Sequence, residues 1–378
     1  MRGIADTITR LAAAAQRASG VADSVSTKLH PLEDFGSNPG SLAALVHIPA
    51  DLPPGAPLVV VLHGCTQTAG GYDKASGWSK LADEQGFALL YPAQRQTNNA
   101  NRCFNWFEVG DTRRDSGEAL SIRQMIATVV SRHMIDRNRV FITGLSAGGA
   151  MACTMLATYP EVFAGGAIIA GLPHGVADGI VQAFDRMRGH GLPKSGRLQA
   201  DLREASDHEG PWPRISIWHG SEDGTVSPDN VEAIVEQWRC IHDLSKRPSG
   251  ADQVDGAAHS FWRGKDGRVL IEAYIIPGMG HGTPIKTSGV GAYGSSAPFM
   301  LDVGVSSTLL VAQFWQIIGP TKAREESFDR VDGDVVPHPA PTEPRRLHGE
   351  RIEQTTRHAP EGIAKVIEDA LRAAGLTR

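Results

Sequence analysis

The chain is 378 residues long, 41% hydrophobic, and carries 37 Lys and Arg against 42 Asp and Glu, for a formal net charge of −5. That length allows one large α/β domain with extensions, and the mild acidity gives no reason to expect nucleic acid or an anionic membrane as a partner. The four cysteines, Cys65, Cys103, Cys153 and Cys240, are too few for a disulfide-built scaffold and show no metal spacing such as Cys-x-x-Cys.

In chain order, the start "MRGIADTITRLAAAAQRASG" does not read as an ordinary signal peptide, because Asp6, Thr7, Arg10 and Arg17 interrupt the apolar stretch such a peptide needs. Ile4, Ile8, Leu11 and Ala15 instead recur at helical spacing and predict a short amphipathic helix within an extension over 1–35. No apolar run reaches the ~18 residues of a membrane helix. After a Gly/Pro-rich lead-in comes "PLVVVLHG", too continuously apolar for a half-exposed strand and therefore a central one. Further strands are predicted at "GFALLYP" (86–92), "RVFITG" (139–144), "GGAIIAG" (165–171), "RISIWHG" (214–220) and "GRVLIEAYIIP" (267–277). Between them lie helical patterns, among them "GEALSIRQMIATVVSRHM" and "GAMACTMLATYP", the second stopped by Pro160.

The stretch from Val176 to Pro213 is longer and more charged than a plain crossover and predicts a small helical excursion. A last core helix follows Ser306 or Ser307 as cap, with Leu309, Leu310, Phe314 and Ile317 on one face. Beyond Pro320 the chain turns polar and Pro-punctuated, and "EGIAKVIEDALRAAGL" ends it as an amphipathic helix, so 320–378 is set apart from a domain over 36–319. Strands alternating with helices imply a doubly wound, mostly parallel sheet with helices on both faces.

In such sheets the reactive groups gather at the carboxyl ends of the strands. There, Gly144, Ser146 and Gly148 match G-x-S-x-G, a sharp strand-to-helix turn that exposes one hydroxyl. A serine needs a base, and the base needs a carboxylate to hold its tautomer. Asp223, in "SEDGTVSP" after one strand, and His281, in "GMGHGTP" after the next, supply them in the order Ser, Asp, His that this arrangement uses. Glu222 is the rival carboxylate, His63 and His219 read as local turn formers, and His259 as a loop or rim histidine. The oxyanion donors would be the amides of Ala147 and of Cys65 in "HGCTQ"; a small buried cysteine without a role is the alternative at position 65.

The blocks "LHGCTQTAGGYD", "NRCFNWFE", "GEALSIRQM", "GLSAGGAM", "ATYPEVFAGGAIIAGLP", "WHGSEDGTV" and "PGMGHGTP", all in order from about Asn38 to Ile318, resemble the esterases of the polyhydroxybutyrate depolymerase family. The resemblance implies an α/β-hydrolase fold and serine esterase chemistry without metal or organic cofactor. It makes Ser146, Asp223 and His281 the triad and Cys65 with Ala147 the oxyanion hole. The implied substrates are poly(3-hydroxybutyrate), its oligomers and related esters; feruloyl or acetylxylan esterase activity is the alternative, and a non-catalytic ester- or granule-binding protein is the alternative of another class. Trp106 and Trp262 are candidate walls of the ester cleft. Because the segment holding Cys103 lies by the active site in that family, Cys65 and Cys103 are expected to be bonded, with Cys153 and Cys240 unpaired. The same resemblance leans toward an extracellular or periplasmic address.

Overall fold

A computed structural model describes residues 28–319 of the chain. The terminal helices predicted around Ile4–Ala15 and after Pro320 lie outside the described residues. Ten strands form one sheet: β1 (His30–Pro31), β2 (Ala43–His47), β3 (Leu58–Leu62), β4 (Ala88–Ala93), β5 (Val140–Leu145), β6 (Gly165–Ile169), β7 (Arg214–Gly220), β8 (Gly250–Val254), β9 (Ala257–Arg263) and β10 (Val269–Ile276). Their order is β1-β2-β4-β3-β5-β6-β7-β10-β9-β8. The run from β4 to β10 is parallel throughout, and both margins are antiparallel. The short strands β11 (Thr283–Ile285) and β12 (Met300–Asp302) pair in parallel outside this sheet.

Alternation along the strands divides the core into two layers. Leu58, Val60 and Leu62 face one side with Ile142, Ile215 and Ile217, where α4 (Gly117–Arg132), α5 (Ala147–Thr158) and α8 (Asp229–Arg239) cover them. Val59 and Val61 face the other, under α1 (Ala69–Ser76), α2 (Trp78–Gln85) and α9 (Ser307–Phe314). With both faces covered, every residue of β3 is buried, which is why that run is continuously apolar. Ser306 caps α9 by accepting from the Leu309 amide. The excursion after β6 carries α6 (Ile180–Met187) and α7 (Ser195–Glu204), and a short α3 (Val109–Thr112) precedes α4.

The predicted strands all form; the missed ones are at the margins of this sheet or in the separate β11–β12 pair. β2 is only five residues long and sits inside the Gly/Pro-rich lead-in. The β8–β9 hairpin is half-exposed, so it lacks a long apolar run. Its signal is the turn itself, Asp255-Gly256, with φ of 50° and 84°, the left-handed pair that a two-residue hairpin loop takes.

Candidate active site

β5 ends into α5 through Ser146, whose backbone stands at φ 57°, ψ −118°. The strained turn is held because Ser146 N–H donates to Ile169 O at 2.9 Å and its carbonyl accepts from Ala150 at 2.8 Å. Only small neighbours fit. A Cβ on Gly144 would meet Gly148 O at 2.3 Å, and one on Gly148 would meet Leu62 O and His63 O at 2.5 Å. The glycines therefore serve the turn and also the approach of α5 to β3.

Asp223 follows β7 and is buried, while its rival Glu222 is exposed. The Asp223 Oδ1 accepts the amides of Thr225 and Val226, each at 2.9 Å, and Oδ2 lies 2.7 Å from His281 Nδ1. His219 forms its turn, with Nε2 2.8 Å from Val226 O, and the same nitrogen lies 3.3 Å from Asp223 Oδ2. Sequence reasoning missed this second histidine at the carboxylate; its position at the end of β7, four residues before Asp223, was the available signal. Burial pushes the Asp223 carboxyl up, but hydrogen bonds from His219 and His281 and the Val226 amide hold it well below the usual carboxylate range. It is thus an anion fixed in one orientation, facing the imidazole.

His281 sits on the loop after β10, which pairs with β7, so adjacent parallel strands deliver acid and base side by side. Its ring meets Phe299 edge-on at 6.1 Å. With Nδ1–H given to Asp223, Nε2 is the ring atom left to take a proton. His63 is fully occupied elsewhere: Nδ1 donates to Gly64 O at 2.8 Å and Nε2 accepts from Gln94 N at 3.1 Å. Burial lowers it to about 4, so it stays neutral. His259 is no rim residue. It lies buried on β9, stacked on Tyr274 at 4.3 Å, with Nδ1 2.6 Å from Asp252 Oδ1 and Nε2 3.3 Å from Glu272 Oε2.

Cys65 and Cys103 are joined by a disulfide of 2.11 Å, and Cys153 and Cys240 are free. The loop after β3 is tied a second time, Thr66 N–H donating to Asn101 O at 2.7 Å. Cys65, Cys103 and Trp106 pack in one apolar cluster with Ala147, Ala150 and Val226. The structure therefore brings Cys65, Ala147, Trp106 and the Asp223 loop together. Trp262 stands apart: it faces Ile271, which pairs with Ile215 at the start of β7, the end of the sheet opposite Asp223. There it is core, packed with Trp238 and Ile217.

A nucleophile elbow, a histidine tethered to a buried carboxylate and a disulfide-bound loop beside the elbow are the parts of an ester-cleaving site. The family model for esterase PHB depolymerase matches residues 43–251. The chain is also 47% identical over 294 residues to poly(3-hydroxyalkanoate) depolymerase C of Paucimonas lemoignei, covering 77% of this chain and 70% of that protein. The chain belongs to the esterase PHB depolymerase family. As a member of it, the protein is a hydrolase of ester bonds. Acetylxylan esterase of Coprinopsis cinerea, 29% identical over 68% of this chain and 70% of that one, is a more distant relative, as is feruloyl esterase B of Talaromyces funiculosus, 26% identical over 70% and 76%. The acetyl xylan esterase of Aspergillus awamori shares the fold, with a TM-score of 0.66 at 22% identity over 77% of this chain and 99% of that one.

Proposed function

We propose that this esterase works through an acyl-enzyme on Ser146, and that its substrates are poly(3-hydroxyalkanoate)-type polyesters and short hydroxyalkanoate oligomers and esters. Ser146 Oγ attacks the ester carbonyl carbon while its proton passes to His281 Nε2. The oxygen that becomes negative accepts from the amides of Cys65 and Ala147, donors of the kind worth roughly 3 kcal/mol each. The carbon–oxygen bond to the alcohol then breaks as His281 returns the proton to the leaving oxygen. Water attacks the acyl carbon, giving its proton to His281; the bond to Ser146 breaks, the proton returns to Oγ and the free acid departs. Asp223 holds the imidazole tautomer throughout.

The observation that carries this reading is the 2.7 Å contact of His281 Nδ1 with a buried Asp223, which leaves Nε2 as the basic atom. The substrate class is supported by 47% identity to a poly(3-hydroxyalkanoate) depolymerase against 26–29% for the acetylxylan and feruloyl esterases. Hydrolysis of p-nitrophenyl butyrate by wild type and Ser146→Ala tests the chemistry: a drop of ~10³-fold or more is expected, and equal rates would refute it. A side-by-side kcat/KM comparison of hydroxybutyrate oligomers, methyl ferulate and acetylated xylan tests the substrate. Oligomers should lead; faster turnover of the ferulate or the xylan would reassign it.

A further inference from the structure

Glu118 belongs to the sequence block "GEALSIRQM", yet none of the chemistry above uses it. It is fully buried in the first turn of α4, beneath the segment that carries Cys103 and Trp106. Its two carboxyl oxygens have separate tasks. Oε2 accepts from the Asn105 amide at 2.9 Å, one residue before Trp106, and Oε1 accepts from Gln94 Nε2 at 2.5 Å. Gln94 Nε2 also lies 3.0 Å from Cys103 O, and the Gln94 amide donates to His63, whose ring holds Gly64 O. Asp111 completes the frame, accepting from Glu118 N–H at 3.1 Å and from Asn105 Nδ2 at 3.1 Å.

A single side chain thus ties, through Asn105, the Trp106 wall and, through Gln94, both arms of the disulfide. One of those arms carries the Cys65 amide. We infer that Glu118 is a positioning residue for ester hydrolysis, fixing the Cys65 donor and the Trp106 wall against the elbow. This rests on the reading of Ser146 as nucleophile, Cys65 as an oxyanion donor and Trp106 as a wall of the ester cleft. Both carboxyl oxygens therefore act as acceptors, one for each arm of the frame. From α3, Asp111 is the charged group that faces Glu118; the strap after β4 presents Gln94 with His63 behind it, and the loop before α3 presents Asn105. Gly40 and Ser121, which pair at 2.8 Å beside it, carry no charge. No cation hydrogen-bonds to Glu118 among the described residues. Burial, and next the Asp111 charge, push its carboxyl up to about 8, against the hydrogen bonds from Asn105 and Gln94, which favour the anion. Those two hydrogen bonds hold the segment next to the Cys65 loop, whose geometry a displacement of even 1 Å degrades.

The test compares wild type with Glu118→Gln on p-nitrophenyl butyrate at pH 9, where Glu118 is ionised. Glutamine has the same shape but turns one acceptor into a donor, against either Asn105 N–H or Gln94 Nε2. The expected result is a kcat lowered about tenfold or more with KM moved by less than about threefold, as loss of a transition-state interaction requires. An unchanged kcat overturns the inference. Should Glu118→Gln not fold, Gln94→Met, which removes the strap from Cys103 O, must show the same kcat-selective loss, and its absence is equally fatal. Ser146→Ala run in parallel separates the two readings: if it retains activity, the nucleophile is wrong; if it is inactive while Glu118→Gln behaves as wild type, only the role of Glu118 fails.

Discussion

Asp223 shows at the residue scale how a fixed charge is made from ordinary parts. Two backbone amides saturate Oδ1, and two imidazoles converge on Oδ2. Asp223→Asn keeps the volume but presents a neutral oxygen or an amide nitrogen to His281, favouring the wrong tautomer. The expected outcome is a kcat loss of order 10³ to 10⁴ with the fold retained, read by steady-state kinetics alongside circular dichroism. The turn at Ser146 and the Asp223–His281 pair could be anticipated from the sequence because each residue follows a legible strand within a short glycine-rich loop. Trp262 and His259 could not be placed, because their strand is half-exposed and its direction is set by pairing with β10 rather than by its own pattern. Tryptophan in a short aromatic run reads alike whether it lines a cleft or a core.

At the scale of elements, the disulfide joins two loops that leave the sheet at different strands, β3 and β4, and closes a loop with a sequence separation of 38. In the chain-entropy model such a closure contributes about 4 kcal/mol. Cys103→Ser should therefore lower the thermal midpoint by several degrees, and, with the Cys65 amide proposed as an oxyanion donor, it should also lower kcat on a soluble ester more than it raises KM. Differential scanning calorimetry and kinetics on the same sample check both; a variant less stable but kinetically unchanged would mean that the Thr66–Asn101 tie suffices. The elbow is built differently, by exclusion. Gly144 and Gly148 are required because backbone carbonyls fill the space a side chain would need.

Across the whole molecule, buried titratable groups set how stability depends on pH. Burial lowers His63, His174 and His242 to about 4 each, so between that value and the unfolded histidine range near 6.5 the unfolded chain binds up to three protons more at these sites, and stability rises with pH. Glu118, raised to about 8, acts in the opposite sense: the folded state keeps a proton the unfolded chain has lost, so stability falls as pH rises from about 4.5 to 8. His259 is penalised by burial, but Glu272 and Asp252 raise it overall, which adds to that decline above the unfolded histidine range. Three groups against one give a net rise up to about pH 6.5 and a gentler fall beyond it. Thermal midpoints measured from pH 4.5 to 8.5 should pass through a maximum near 6.5, and a monotonic rise through pH 8 would contradict the raised Glu118 carboxyl. Continuous apolar runs and the loops that end them carried the parallel sheet, its chain order and the Ser, Asp, His series in the sequence alone, since a strand buried on both faces must be apolar along its whole length. Tertiary structure decided what no local pattern encodes: which of two adjacent carboxylates turns inward, that His219 joins His281 at Asp223, that the half-exposed strands form margins, and that Glu118 and Gln94 hold the Cys103–Asn105 segment. Each of these depends on partners distant in sequence, and a polar residue bears no local mark of whether its hydrogen bonds go to water or to a loop packed over it.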